Sequence, residues 1–92
     1  MDLDLLPRSA RKEQVQEFIK LAEDLLYCII KIDYNNGLIR FESLQNDGIF
    51  INLYSTTFTI TIERNKRQKH FRNCKKSRAK KIFENPKKYI NQ

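Results

Sequence analysis

The sequence predicts an α+β domain in which an N-terminal amphipathic helix covers a four-strand antiparallel meander and a basic helix follows. Apolar residues recur at helical spacing over residues 15–26. Alternating β-branched and aromatic runs, separated by turn signals, fill residues 27–63, and a second helical stripe comes after them. A chain of 92 residues is the size of one domain with one modest core. We therefore treat residues 1–92 as a single domain.

The first helix is predicted to follow a flexible leader formed by residues 1–8, with Ser9 as a candidate N-cap. Charged residues fill the remainder of the helical wheel, so one face is expected to be buried over about five turns. The apolar positions with spacing i, i+3, i+4 and i+7 are Val15, Phe18, Ile19, Leu21, Ala22, Leu25 and Leu26.

The segment 27–34 either extends this helix, which would leave three strands, or forms the first strand. Asn36-Gly37 favours the strand, because Asn-Gly is the strongest two-residue hairpin signal. With that loop, Asp33 lies opposite Arg40. Opposite charges then share one face of the sheet and apolar pairs share the other, as one correct register should give.

Two further turns, at residues 45–48 and 55–57, separate the remaining strands. In this register Ile51 and Leu53 face the core, whereas Phe50 and Tyr54 lie on the opposite face. If that face is open to solvent, Phe50 and Tyr54 are predicted to stack on nucleic-acid bases. The alternatives are that they contact a partner subunit or are covered by the C-terminal segment.

Residues 64–92 form a basic segment that contains the C-terminal helix. The run NKRQKH at residues 65–70 is predicted to be a loop or the extended end of the last strand. The helix should end near Asn85-Pro86, because proline disfavours helix in the preceding residue, and a final turn follows. The apolar stripe of this helix is formed by Phe71, Cys74, Ala79, Ile82 and Phe83.

Charge is strongly segregated along the chain. The basic segment holds 12 Lys and Arg residues and one acid, Glu84, whereas residues 1–63 hold 6 bases and 10 acids. Such a concentration of positive potential is typical of proteins that bind a polyanion, usually nucleic acid; another acidic partner or a surface kept for solubility are the alternatives. The predicted contacts are Arg64, Lys66, Arg67, Lys69, His70, Arg72, Lys75, Lys76, Arg78, Lys80, Lys81, Lys87 and Lys88.

Lysine outnumbers arginine among these cations by 8 to 4. Arginine makes bidentate contacts to guanine or phosphate, whereas lysine acts as a mobile point charge. The excess of lysine therefore predicts contacts mainly to the phosphate backbone, with weak sequence specificity.

The stretch Lys75-Lys76-Ser77-Arg78-Ala79-Lys80 is similar to the Lys-Lys-x-Ala-Lys motif that opens the second helix of double-stranded-RNA-binding domains, but is one residue longer. The order of elements resembles that family and also the Alu-RNA-binding proteins of the signal recognition particle. The chain departs from the first family because the Gly-Pro-x-His loop is absent and four strands are predicted instead of three. The resemblance implies a slight preference for RNA over DNA and assigns no residue.

Catalysis and metal binding are not predicted. The candidate ligands His70, Cys74 and Cys28 lack Cys-x-x-Cys spacing, so we expect no metal and no cofactor. No second acid or tyrosine is placed by the sequence to work with His70, so the chain is not expected to be an enzyme. A small ribonuclease remains an alternative that would require His70 beside a second titratable group in a cleft.

A cytoplasmic location is expected, because two widely spaced cysteines fit a reducing compartment and no apolar run approaches a membrane span of about 20 residues. A nuclear location is the alternative in a eukaryotic host, since the basic runs resemble a localisation signal. The second function class is a small protein-interaction module, a regulator or inhibitor that docks on a protein partner. An exposed edge strand also permits a homodimer.

Overall fold

The structure, a computed structural model, describes residues 2–91; Met1 and Gln92, the outer ends of the predicted leader and basic segment, lie outside the described residues. It is an α+β fold built on an antiparallel meander, as predicted, with strand order β1-β2-β3-β4-β5. After a single 3₁₀ turn at Leu3–Leu5, the elements are α1 (Lys12–Asp24), β1 (Tyr27–Asp33), β2 (Leu38–Ser43), β3 (Phe50–Tyr54), β4 (Thr59–Arg64), β5 (Arg67–Phe71), α2 (Lys76–Glu84) and α3 (Pro86–Ile90).

The predicted number of four strands is wrong, because the segment expected to be a loop or a strand extension forms a fifth strand. Arg64 pairs with Arg67 across a two-residue turn at Asn65 and Lys66. Both turn residues have positive φ, 50° and 67°, as a type I′ hairpin requires. Lys66 occupies the position where glycine is usual, so the sequence carries no Asn-Gly signal at this turn.

The segment 27–34 begins the sheet as strand β1, but its predicted register is wrong. Asp33 pairs with Leu38 instead of Arg40, and Lys31 pairs with Arg40. Each partner lies two residues earlier on β2 than predicted, so each side chain keeps its expected face of the sheet. The carboxylate of Asp33 accepts hydrogen bonds from the Asn36 backbone N–H (3.3 Å) and from Asn36 Nδ2 (2.7 Å). These bonds close a four-residue loop in place of the predicted two-residue loop, and they lower the pKa of Asp33.

Gly37 connects this loop to the turn between β3 and β4. Its carbonyl oxygen accepts hydrogen bonds from the Ser55 backbone N–H (2.8 Å) and from Ser55 Oγ (2.7 Å). Gly37 has φ +66°, and a Cβ atom there would lie 2.7 Å from Ser55 Oγ. Only glycine satisfies both the backbone conformation and the close approach.

The N-terminal segment differs from the prediction at the start of the first helix. Helix α1 begins at Lys12, and Arg11 instead of Ser9 occupies the N-cap position. A turn precedes it, in which Ala10 N donates to the carbonyl of Pro7 over 2.9 Å. Leu6, within the predicted leader, is buried in the core.

The core lies between one face of the sheet and the helices. Alternate residues of β2, β3 and β4 supply the sheet side, and α1 and α2 pack against it and against each other. Tyr27 Oη donates a buried hydrogen bond to the carbonyl of Phe83 over 2.9 Å, which fastens β1 to the end of α2. Burial, with the Asp47 carboxylate as a second cause, raises the pKa of the Tyr27 phenol far above its usual range.

The opposite face of the sheet carries no covering element formed by residues 2–91, because the helices pack on the core face. None of those helices combines the length and the apolar composition needed to cross a bilayer.

Candidate nucleic-acid interface

Helix α2 separates the cations of the basic segment into two flanks. Ala79, Ile82 and Phe83 anchor the helix in the core and leave its lysines and arginine exposed. On one flank, Lys76 Nζ lies 3.8 Å from a carboxylate oxygen of Glu17 on α1. This pair contributes little to stability, because both side chains are more than half exposed, but it partly neutralises the flank.

The other flank joins α2 to β5 and α3 through aromatic rings. The guanidinium of Arg78 lies 5.1 Å from the ring centroid of Phe71. The rings of Phe71 and Tyr89 pack edge-to-face, with their centroids 5.7 Å apart. Lys88 Nζ lies 5.9 Å from the ring centroid of Tyr89. Lys81 lines a cleft of about 340 Å³ together with Tyr89 and Lys88. We call Arg78, Lys81 and Lys88, around the Phe71–Tyr89 ring pair, the basic row.

The side of β5 that faces the helices extends this surface along the edge of the sheet. The register with β4 places Arg67 and Lys69 on the same side of the strand as Phe71. A guanidinium nitrogen of Arg67 approaches the side-chain oxygen of Asn91 to 3.5 Å. The edge of the sheet is therefore lined with cations up to the basic row.

The other side of β5 carries His70, which the structure separates from the basic row. His70 Nδ1 is hydrogen-bonded to Thr61 Oγ1 over 2.8 Å on the uncovered face of the sheet. His70 and Arg72 line a cleft of about 400 Å³ with Tyr54, Thr57 and Thr59.

The predicted contact residues thus do not form one continuous surface. Lys75 and Lys76 line a further cleft beside α1. Lys80 lies 3.8 Å from the carboxylate of Glu84, and Arg64 Nε donates to the carbonyl of Asp47 over 3.2 Å. Lys66 and Lys87 are exposed at the β4–β5 turn and on α3.

Phe50 and Tyr54 lie on the uncovered face, as their positions in β3 predict, and both are half-buried. Their surroundings differ. The guanidinium of Arg40 lies 4.5 Å from the ring centroid of Phe50 and so occupies one side of that ring. The ring and hydroxyl of Tyr54 have no partner among residues 2–91.

A polar network that the sequence does not predict fixes Arg40 in this position. Arg40 contacts Glu63 at 2.5 Å and Asn52 at 3.0 Å, and Asn52 also donates to Glu63. Burial raises the pKa of Glu63, but the hydrogen bonds from Arg40 and Asn52 outweigh it and hold the pKa below its usual value. The sequence signal for this network is the alternation that places Arg40, Asn52 and Glu63 on the same face of the adjacent strands β2, β3 and β4.

The metal-ligand candidates are separated by β5. Cys74 Sγ is buried and donates to the carbonyl of Phe71 over 3.4 Å, and burial raises the pKa of the thiol. His70 lies on the uncovered face, on the opposite side of the strand. Within residues 2–91 no group of three or more His, Cys, Asp or Glu side chains has an arrangement that could hold a metal ion.

Comparison of the chain with protein-family models, with curated proteins and with solved structures gives no match.

Proposed function

We propose that the protein binds nucleic acid through the basic row and the neighbouring cations of β5, mainly through phosphate contacts and with RNA slightly preferred over DNA. The observation that carries the proposal is the basic row itself. Three cations from two helices surround one aromatic pair at the edge of the sheet. Among the described residues, one acid, Glu84, lines the cleft of Lys81 and Lys88, and its carboxylate lies 3.8 Å from Lys80.

The aromatic rings explain why the row favours phosphates over bases. Phe71 is buried beneath Arg78, and Lys88 lies over the ring of Tyr89, so these rings support the cations and do not offer a free face to a base. A guanidinium or ammonium group held over a ring loses less side-chain freedom when it binds an anion than a fully mobile one does. The row is therefore suited to a polyanion whose charges are regularly spaced.

Protection of the sheet edge is the competing explanation of these cations. Edge strands often carry Lys or Arg, because such residues oppose pairing with another chain. This reason accounts for Arg67 and Lys69 on β5. It does not account for Lys81 and Lys88, which belong to helices and converge on one cleft.

The test is a fluorescence-anisotropy titration with duplex RNA, duplex DNA and single strands, each at low and near-physiological salt. Charge reversal of the row, by Arg78→Glu, Lys81→Glu and Lys88→Glu together, should weaken binding at least tenfold. The matched control is Arg8→Glu, Lys20→Glu and Lys31→Glu, which changes the net charge equally at exposed positions elsewhere. Equal losses in the two triple variants, or no binding at low salt, would contradict the proposal.

One observation favours the second candidate, a protein-interaction module. Leu26 and Leu44 are 52% and 59% exposed and are joined by a backbone hydrogen bond of 2.8 Å. Ile30, 47% exposed, lies farther along the edge strand β1. Light scattering of the wild type and of Ile30→Lys tests whether this surface forms a homodimer. A wild-type dimer that Ile30→Lys converts to a monomer would support an edge-strand interface. A wild type that stays monomeric at all concentrations would contradict the homodimer.

A further inference from the structure

We infer that the cleft lined by Tyr54, Thr57, Thr59, His70 and Arg72 binds one nucleotide of a single-stranded nucleic acid. Its base would stack on the Tyr54 ring, and its phosphate would contact Arg72 and His70. We call this site the Tyr54 cleft. The inference rests on the proposed function, since the basic row would hold the adjoining part of the strand.

The lining of the Tyr54 cleft contains no acidic side chain among the described residues. The lining comes from the end of β3, from the turn into β4 with the start of β4, and from the end of β5 with Arg72, which directly follows it. The cleft volume of about 400 Å³ lies within the range of small-ligand sites. Arg72 gives the cleft a positive charge.

Three groups in the cleft have no partner among residues 2–91: the Arg72 guanidinium, the side chain of Tyr54 and the Nε2 atom of His70. The guanidinium of Arg72 has no carboxylate or ring beside it there, and the half-buried Tyr54 ring has no cation or second ring packed on it. The bond between His70 Nδ1 and Thr61 holds the imidazole in place and leaves Nε2 without a partner in the described part of the chain. Guanidinium and imidazole N–H groups bind phosphate oxygens, and a free aromatic face stacks on a base.

A free phosphate ion would make no contact with the aromatic side of the cleft, and the stacked bases of a duplex could not stack on Tyr54. Bases inside a duplex are stacked on their neighbours and cannot present a face to a side chain, whereas unpaired bases can. Tyr54 is the suitable aromatic residue of this face, because the ring of Phe50 is already covered on one side by Arg40. The chemistry of the site therefore selects an unpaired nucleotide.

The end of β5 connects the Tyr54 cleft to the basic row. Consecutive residues of a strand face opposite sides, so Phe71 contacts Arg78 and Tyr89 while its neighbours His70 and Arg72 line the cleft. Adjacent Cα atoms are about 3.8 Å apart, so a single strand that crosses this sheet edge can contact both sites.

The test compares a labelled single-stranded octanucleotide with a hairpin duplex that carries the same label. Tyr54→Leu and Arg72→Gln should each weaken binding of the single strand at least about fivefold, because one stacked base or one charge-assisted contact contributes at least this factor. Duplex affinity should change less than about twofold. The matched aromatic control, Phe50→Leu, lies on the same strand and face and should leave both affinities within about twofold.

Two outcomes separate this inference from the proposed function. Unchanged single-strand affinity in Tyr54→Leu and Arg72→Gln, with a loss in the triple variant of the basic row, would overturn the cleft and leave the proposed function standing. Absence of binding by the wild type would overturn both. A direct readout that does not depend on variants is an NMR titration with the single-stranded octanucleotide. The imidazole resonances of His70 should shift, and unshifted resonances at saturation would overturn the cleft.

Discussion

Substitution of Gly37 should destabilise the fold more than the same substitution at Gly48, although both glycines have similar positive φ, +66° and +71°. A Cβ at Gly48 would meet no atom within 4 Å, so Gly48→Ala isolates the backbone cost. That cost is about 1–2 kcal/mol, reduced by about 0.4–1 kcal/mol because alanine restricts the unfolded chain. We expect a net loss of about 1 kcal/mol.

At Gly37 the added Cβ would also meet Ser55 Oγ at 2.7 Å, inside a fully buried contact. Overpacking of this kind costs a further ~1–3 kcal/mol. Gly37→Ala should therefore lower the free energy of unfolding by about 2–4 kcal/mol in total. For a domain of this size each kcal/mol corresponds to a decrease in Tm of roughly 4–8 °C. Urea denaturation followed by circular dichroism measures both variants.

Ser55→Ala removes the atom that the new Cβ would meet, and it also removes the hydrogen bond from Ser55 Oγ to the Gly37 carbonyl. The single variant should lose about 1–2 kcal/mol. The double variant Gly37→Ala/Ser55→Ala should lose less than the sum of the two single variants, by about 1–2 kcal/mol, because the contact is relieved. Additive losses, or equal losses in Gly37→Ala and Gly48→Ala, would refute the explanation from close approach.

Three further predictions concern stability and binding. Tyr27→Phe should lower the free energy of unfolding by about 1–2 kcal/mol in urea, since the buried Phe83 carbonyl loses its donor. Glu63→Gln should lower the free energy of unfolding by about 1–2 kcal/mol at pH 7. Because the pKa of Glu63 is lowered in the fold, this difference from the wild type should shrink in acid titrations as the pH falls below the ordinary glutamate pKa of 4.5. If about five cations engage phosphates, log K should fall with log salt at a slope near −3.5 for single strands, and neutralising the three cations of the basic row should reduce its magnitude by about 2.

The elements with strong periodicity could be predicted from the sequence. The apolar spacing of α1 and α2 and the alternation in β2, β3 and β4 each place a buried face where the structure has it. The fifth strand could not be predicted, because Asn65-Lys66 adopts a turn geometry usually marked by glycine. The register of the first hairpin differs from the prediction because the hydrogen bonds that Asn36 donates to Asp33 select a longer loop than Asn-Gly alone suggests.

The candidate site was predictable as a cationic segment but not as a surface. Without β5 as a strand, nothing in the sequence separates His70 from Phe71 onto opposite faces of the sheet. The contact between Lys76 and Glu17 depends on the packing of α2 against α1, which lie near opposite ends of the chain. Local sequence patterns therefore carry no information about this contact. The difference between Phe50 and Tyr54 depends in the same way on Arg40, which comes from the neighbouring strand.

The meander order of the sheet has a consequence for how the chain folds. Every strand pairs with its neighbour in sequence, so the sheet can form by successive closure of short loops, which is fast. The bond between Tyr27 and Phe83, by contrast, joins residues 56 positions apart. The part of the apolar face that α2 covers therefore stays exposed until α2 docks, even if α1 is already in place, and we expect aggregation to compete with folding during that interval. Docking of α2 is the step that ends the interval, so the helix that carries part of the basic row also controls the kinetic yield of folded protein.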